Sequence, residues 1–463
     1  MEYKVWGKAK AVLTPHKRHY ATVGVFIFAV ALIVAIVLVA RMGQLYAGLF
    51  YTGERGPYIQ QLGINTAVIR WQSESPVSAK LALFSKMDEK LFEHEEGLVK
   101  ETHEIKLNNL QPGTRYYYRL YHNEKIYKQG KDYWFETAPK KAVDSQVRIW
   151  LLGDPGRSGA AVQLVSSSIQ DWLKRNSRAE MSDLNLIIST GDNAYDNGTN
   201  KEYQENLFSI FNDYFKNYVF WPVYGNRDAR GWSFFKIFTL PAQAELGGVA
   251  SDTERYYSID YGKLHLIFLD SNDAAFSADD KMIKWLRKDL QMTDQKWLIA
   301  FMHHPPYTRG KHNSNNPKDS GSRMFNMRKR VIPVLEEAGV DMVISGHSHS
   351  YERSYLIDCH YGLTSDFRES SKLQPGPVFI KSDKRMSHSG TVYTVLGSSA
   401  EAVPGQFDHP AMAVSEATLG SMIIDVETDH ITARFINTDA QEADKFVIKK
   451  VNAKSNTENH ACL

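Results

Sequence analysis

The stretch "VRIWLLGDPG", residues 147–156, is an apolar run that stops abruptly on Gly153-Asp154. Its length and its branched and aromatic side chains read as a buried strand ending in a tight turn. Four more runs end the same way: "LNLIISTGD" (184–192), "VFWPVYGN" (219–226), "KWLIAFMHH" (296–304) and "VDMVISGHSH" (340–349). Each stops on Asp, Asn or His. Helical patterns at 160–174, 278–292 and 323–338 lie among these runs, so the region reads as a layered α/β domain. Later runs, "GTVYTVLGSS" (390–399) and a hairpin-like segment over 420–438, make its sheets mixed. The polar stretches 311–323 and 362–390 read as long loops.

Taken singly, these endings are ordinary. A Gly-Asp after a strand is usually an Asx turn, and two histidines spaced as in "GHSH" are usually plain polar residues. Ligand sites in α/β sheets nevertheless gather at the carboxyl ends of strands, where residues distant in sequence converge. Asp154, Asp192, Asn226, His303, His347 and His349 are therefore candidate metal ligands. Their mixed oxygen and nitrogen donors suit iron, zinc or manganese, and the lack of thiolates argues against a structural zinc.

In this order, "GDPG" (153–156), "GDNAY" (191–195), "GNRD" (225–228), "MHHP" (302–305) and "GHSHSYERS" (346–354) resemble the five blocks of the purple acid phosphatases, within the calcineurin-like metallophosphoesterases. The resemblance runs from about residue 56 to 450. It implies a fibronectin type III-like all-β sandwich over 56–138, followed over 146–450 by a four-layer α/β/β/α catalytic domain with mixed sheets. It also implies a dinuclear centre of Fe(III) plus a divalent zinc, iron or manganese ion. One metal falls to Asp154, Asp192, Tyr195 and His349, and the other to Asp192, Asn226, His303 and His347, with Asp192 bridging. A phenolate from Tyr195 selects Fe(III). Of the adjacent pair His303 and His304, alternation along a strand allows only one ligand, and the family's His-x-Pro-x-Tyr spacing selects His303. His304 is left behind the ligands, near substrate or simply packed. His312 falls where the family places a histidine that meets substrate phosphate, with a solvated surface histidine as its alternative.

The third block departs from the family, which usually has histidine where this chain has Arg227. Arginine keeps the charge and the donor fork that suit phosphate oxygens, but it releases no proton at working pH. Arg227 is thus a phosphate ligand or a structural ion-pair partner, and general-acid work passes to His312, Asp228 or solvent.

Upstream, period-2 alternation with frequent turns from residue 56 to about 140 reads as the sandwich, and "LQPGTRYYYRLY" resembles its tyrosine corner near Tyr116. Residues 138–146 read as a linker. The twenty uncharged residues 21–40 are long enough to span a bilayer. Lys4, Lys8, Lys10, Lys17 and Arg18 before them, against Arg41 after, put the basic tail 1–20 in the cytoplasm and the rest outside. A cleaved signal peptide, which would release a secreted protein, and a buried helix are the alternatives. The first 50 residues hold six Lys/Arg and one acid, which leaves 49 basic against 52 acidic residues and no nucleic-acid surface. Cys359 and Cys462 either pair or stay free, and Asn197 opens a glycosylation triplet.

The expectation is an extracytoplasmic, single-pass phosphatase that cleaves small phosphate monoesters with a metal-activated hydroxide. A phosphodiesterase or nucleotide pyrophosphatase on the same fold is the rival. A non-catalytic surface binding protein is a second, disfavoured by the complete set of seven ligands.

Overall fold

A computed structural model describes residues 15–86, 89–141, 146–178, 183–272, 280–452 and 462. The chain divides into two compact units, Met1–Phe50 and Tyr51–Leu463.

The first unit holds one helix, Pro15–Leu49. Among the described residues no helix is long and apolar enough to cross a membrane, so the expected transmembrane anchor over 21–40 finds no support there. The side chains at 21, 22, 24 and 25 lie outside the described residues, as does the tail 1–14.

The second unit starts with two small antiparallel sheets. One joins Arg55–Gln60, Ala67–Val77 and Lys100–Leu107; the other joins Lys90–Glu95, Ala79–Phe84, Arg115–His122 and Lys125–Lys128, with Trp134–Glu136 added to Arg115–His122. Alternation does what the sequence leads one to expect: Tyr116, Tyr118 and Leu120 turn inward while their neighbours stay half-buried. Tyr116 Oη accepts a hydrogen bond from the Gln111 N–H at 2.8 Å, tying the strand to the turn before it. The sheets are docked on the region that follows. Tyr58 Oη donates to Ile237 O at 2.7 Å, Gln60 Nε2 to Phe220 O at 2.8 Å, and Arg55 Nη2 to Asn200 Oδ1 at 2.7 Å. Within the expected linker, 142–145 lie outside the described residues.

Two larger mixed sheets follow. The first runs Val219–Pro222, Leu186–Ser189, Val147–Leu152, Gly420–Val426, His430–Asn437, Glu442–Val451, Val378–Ser382; its first three strands are parallel and Gly420–Val426 is antiparallel to Val147–Leu152. The second runs Tyr257–Tyr261, Leu264–Leu269, Trp297–Met302, Met342–Ser345, Thr391–Leu396, Tyr351–Ile357, Lys372–Gln374, parallel from Leu264–Leu269 to Thr391–Leu396. Trp297–Met302 shows how the second sheet is covered on both faces. Trp297, Ile299 and Phe301 enter one core with Trp150, Trp221 and Phe435; Leu298, Ala300 and Met302 enter another with Leu286 and Leu335 from the helical segments Lys281–Met292 and Ile332–Glu337. A strand buried on both faces reads as an unbroken apolar run, as these do.

Details depart from the sequence reading. The helix expected over 323–338 contains a five-residue π turn, Met327–Val331, just before Pro333, a residue that offers no N–H and crowds the preceding turn. The expected loop 362–390 contains Val378–Ser382, an edge strand too short for its alternation to stand out. The two cysteines are paired, Cys359 with Cys462. Thr199 of the Asn197 triplet is buried and caps the helix Asn200–Tyr203, its hydroxyl accepting from Glu202 N.

One buried charge gives a stability prediction. Burial opposes a charge on His265, but its hydrogen bonds to Asp260 (2.7 Å) and Asp289 (2.8 Å) win and lift its pKa to about 9. Asp289 in turn accepts from Val249 N and Ser258 Oγ, so this ring holds the loop before Tyr257–Tyr261. A pKa raised in the folded state gives stability that is complete below ~6.5 and lost as pH rises through about 9, here about 3 kcal/mol. Denaturant unfolding at pH 6 and pH 9.5 should show this drop in wild type and a much flatter profile in His265→Gln.

Candidate metal centre

All five apolar runs end on one side, where the two large sheets meet. The first sheet contributes the loops after Val147–Leu152, Leu186–Ser189 and Val219–Pro222; the second contributes those after Trp297–Met302 and Met342–Ser345. Asp154, Asp192 and His347 have φ of 50°, 52° and 65°, so the backbone turns sharply at the residues whose side chains must point inward. Asp, Asn and His tolerate this region better than other non-glycine residues. Glycines next to candidate ligands are needed for close approach: a Cβ on Gly346, before His347, would sit 2.2 Å from Asp154 Oδ1, and one on Gly225, before Asn226, would sit 2.1 Å from Asp192 N.

Donor atoms of Asp154, Asp192 and His303 lie within 4.8 Å of one another, as do those of His303, His304 and His347, and all five side chains are buried. Tyr195 Oη is 3.3 Å from Asp154 Oδ2 and 3.1 Å from His349 Nε2. His303 Nε2 is 3.0 Å from Asn226 Oδ1 and 3.4 Å from Asp192 Oδ1, and His347 Nδ1 is 3.3 Å from His303 Nε2. The structure thus brings together all seven residues that the sequence singles out as ligands.

The donor set fits cations. Burial, with Asp154 close by, raises the pKa of Asp192, the sign of a carboxylate short of positive charge. Burial and neighbouring imidazoles drive His347 well below the usual histidine range, keeping it neutral with a lone pair to give. Backbone and side chains orient the rings from behind, as metal-ligating histidines require. His303 Nδ1 meets Thr190 O at 2.9 Å, His349 Nδ1 meets Glu401 Oε2 at 2.5 Å, and His347 Nε2 meets Ser320 Oγ at 2.7 Å.

Other residues stand differently from expectation. His304 does not turn away from His303: the strand ends at Met302, alternation ends with it, and the two rings lie 4.9 Å apart at 80°. Its Nδ1 meets Ser271 Oγ at 2.8 Å, and burial lowers its pKa well below 6.5. Asp228 is fully buried and committed, accepting from Gly225 N at 2.8 Å, Asn193 N at 3.1 Å, Asn193 Nδ2 at 3.0 Å and Tyr203 Oη. That leaves it a brace between two loops rather than a proton donor to substrate. Burial, with Asp192 adding to it, raises its pKa to about 7. His312 stacks on His347, centroids 4.1 Å apart, with Nδ1 3.0 Å from Asp319 Oδ1. Arg227 N donates to Asp192 Oδ1 at 2.7 Å; its guanidinium lies 3.8 Å from Asp192 Oδ2 and 5.1 Å from the Tyr195 ring centre.

Sequence reasoning passed over Glu401, Ser320, Lys311 and Arg157. Lys311 Nζ is 3.2 Å from His349 Nδ1, and the Arg157 guanidinium is 4.3 Å from the Tyr195 ring centre. Arg157 follows "GDPG" directly and could have been noticed; the others carry no local signal.

Residues 147–351 match the family model of the calcineurin-like phosphoesterases. The chain carries a calcineurin-like phosphoesterase domain. Its relatives include a purple acid phosphatase of Glycine max, 25% identical over 371 residues that cover 77% of this chain and 73% of that protein. Purple acid phosphatase 21 of Arabidopsis thaliana is 26% identical over 261 residues, 54% of this chain and 53% of its own. The chain thus spans between half and three quarters of the length of these relatives. Among solved structures, a purple acid phosphatase from yellow lupin (Lupinus luteus) seeds superposes with a TM-score of 0.67 at 15% identity, covering 85% of this chain and 74% of that one. This likeness shows the fold: the phosphoesterase domain, with its two sheets and preceding β region, is built like a purple acid phosphatase.

Proposed function

We propose that the protein hydrolyses phosphate monoesters at a dinuclear metal centre. The observation that carries this reading is the convergence of Asp154, Asp192 and His303 donor atoms within 4.8 Å of one another, from loops of both sheets. Asp154, Asp192, Tyr195 and His349 would hold Fe(III); Asp192, Asn226, His303 and His347 would hold a divalent zinc, iron or manganese ion. When bound, such a pair supplies Lewis acidity toward the phosphoryl oxygens and a nucleophile at low pH. Asp192, with two carboxylate oxygens, would be a ligand common to both ions. Arg227 offers a donor fork to substrate oxygens. His312 shares a proton at Nδ1 with Asp319 and keeps Nε2 to exchange one with a leaving group. Hydrolysis of a panel of aryl and alkyl monoesters and of diesters, with metal content measured on the same sample, tests this. Diester turnover that exceeds monoester turnover would turn the reading to a phosphodiesterase.

Tyr195 supplies a second test. A phenolate on Fe(III) gives a visible charge-transfer band, and Tyr195→Phe should bleach it. A colourless, fully active wild type with two zinc ions per chain would overturn the Fe(III) assignment.

An extracytoplasmic location behind a membrane anchor belongs to the same proposal. It is supported by the twenty uncharged residues 21–40 and the basic residues that precede them. A reporter fused after Lys450 should read as extracytoplasmic and stay in the membrane fraction after carbonate extraction. Cytoplasmic reporter activity would overturn the orientation, and release by carbonate would overturn the anchor.

A further inference from the structure

A second cluster of ligating side chains lies apart from the five loops, after the strand Tyr351–Ile357. Asp358, Cys359, His388 and Cys462 present four donor atoms, all within 4.8 Å of one another. His388 Nδ1 lies 3.1 Å from Asp358 Oδ1, 3.3 Å from Cys462 Sγ and 3.8 Å from Cys359 Sγ. A tetrahedral zinc ion with bonds of about 2.0–2.3 Å spaces its donors by about 3.3–3.8 Å. The imidazole thus already stands near ligand spacing from the other three. Only the two sulfurs, joined to each other, do not.

Two buried carboxyl groups stand at the cluster. Asp358 is 2% exposed, and its Oδ2 has no hydrogen-bond partner among the described residues. Beside it Glu336, also buried, accepts from Cys359 N at 2.9 Å, Tyr361 Oη at 2.6 Å and Tyr393 Oη at 2.5 Å. Burial and the neighbouring Asp358 carboxyl push Glu336 well above the ordinary range. Solvent reaches the cluster through a cavity of about 480 Å³ lined by both cysteines, Tyr361, Asp366 and Arg368.

We propose that this cluster is a redox-gated zinc site, in which Cys359, Cys462, His388 and Asp358 together hold one divalent ion when the disulfide is reduced and none when it is formed. A dithiol supplies the two electrons and is itself oxidised to a disulfide. The Cys359–Cys462 bond breaks, each sulfur takes a proton, and ion binding releases both protons as the thiolates become ligands. Two thiolates, an imidazole and a carboxylate favour zinc over harder cations. In either state the C-terminal Cys462 stays tied to Cys359, by a covalent bond or through the ion.

Cobalt(II) distinguishes this site from the metal centre, because only thiolate ligation gives an intense near-ultraviolet sulfur-to-cobalt band and the five loops hold no sulfur. Full-length protein would be stripped of metal, and one half reduced with a dithiol and desalted anaerobically. The reduced half should take up one more cobalt ion per chain than the oxidised half and show the band, which zinc then displaces. Cys462→Ser should lose the additional ion. His388→Ala, which keeps both cysteines and can be checked for folding in its oxidised form, should weaken cobalt binding at least tenfold. Equal uptake by oxidised and reduced wild type, or an unchanged band and affinity in His388→Ala, would overturn the proposal.

Discussion

Asp192→Asn should leave the fold intact, empty the metal centre and abolish turnover. The side chain is buried, and its Oδ1 accepts from Arg227 N at 2.7 Å and lies 3.4 Å from His303 Nε2. Asparagine matches it in shape, so packing and the Arg227 hydrogen bond survive. What goes is a negative charge between two proposed cations, with an amide left in its place. Removing one partner of a buried charge arrangement costs about 3–5 kcal/mol, or about 10²- to 10⁴-fold in affinity or rate. Metal analysis after desalting should find fewer than two ions per chain, and monoester hydrolysis should fall by that factor or more. If Asp192→Asn keeps both metals and wild-type turnover, the bridging role is wrong. If it keeps the metals and loses only the rate, Asp192 acts on substrate instead.

The sequence shows where the donors sit because the rule behind it is local. A run of side chains buried on both faces must be apolar, so a polar ligand can stand only where the run stops. That is how Asp154, Asp192, Asn226, His303 and the pair His347 and His349 become visible. Tyr195 needed more than this rule and came through the resemblance of "GDNAY". What stayed hidden depends on contacts between distant segments. Glu401 faces His349 from a loop 52 residues away, and Ser320 meets His347 through a turn in a stretch that reads only as polar. Neither carries a pattern of its own. His304 shows the limit of a rule carried one residue too far: alternation holds along Trp297–Met302 and has no force at the bend beyond it. In the β region, alternation gives the inward faces but not the hydrogen bonds from Arg55, Tyr58 and Gln60 that dock it, because those depend on surfaces formed by residues 200–237.

Arg227 should separate holding a phosphate from protonating its leaving group. Its Nε has no hydrogen-bond partner among the described residues, and its contact with Asp192 Oδ2 is long at 3.8 Å, so donors remain free to meet an anion. With Asp228 engaged by Gly225, Asn193 and Tyr203, the proton for an alkyl leaving group must come from His312 or from solvent. If solvent supplies it, wild type should cleave aryl phosphates much faster than alkyl phosphates, since aryl groups leave without a proton. Arg227→His, which restores a titratable ring at that position, should then narrow the gap. Arg227→Ala should raise KM for both classes about 10- to 150-fold, the equivalent of charged hydrogen bonds worth roughly 1.5–3 kcal/mol. Unchanged KM and kcat in Arg227→Ala would mean that the guanidinium serves only Asp192 and the Tyr195 ring. If Arg227→Ala impairs binding while Arg227→His leaves the leaving-group dependence untouched, His312 already delivers the proton through Nε2, and the arginine changes recognition without changing the chemistry.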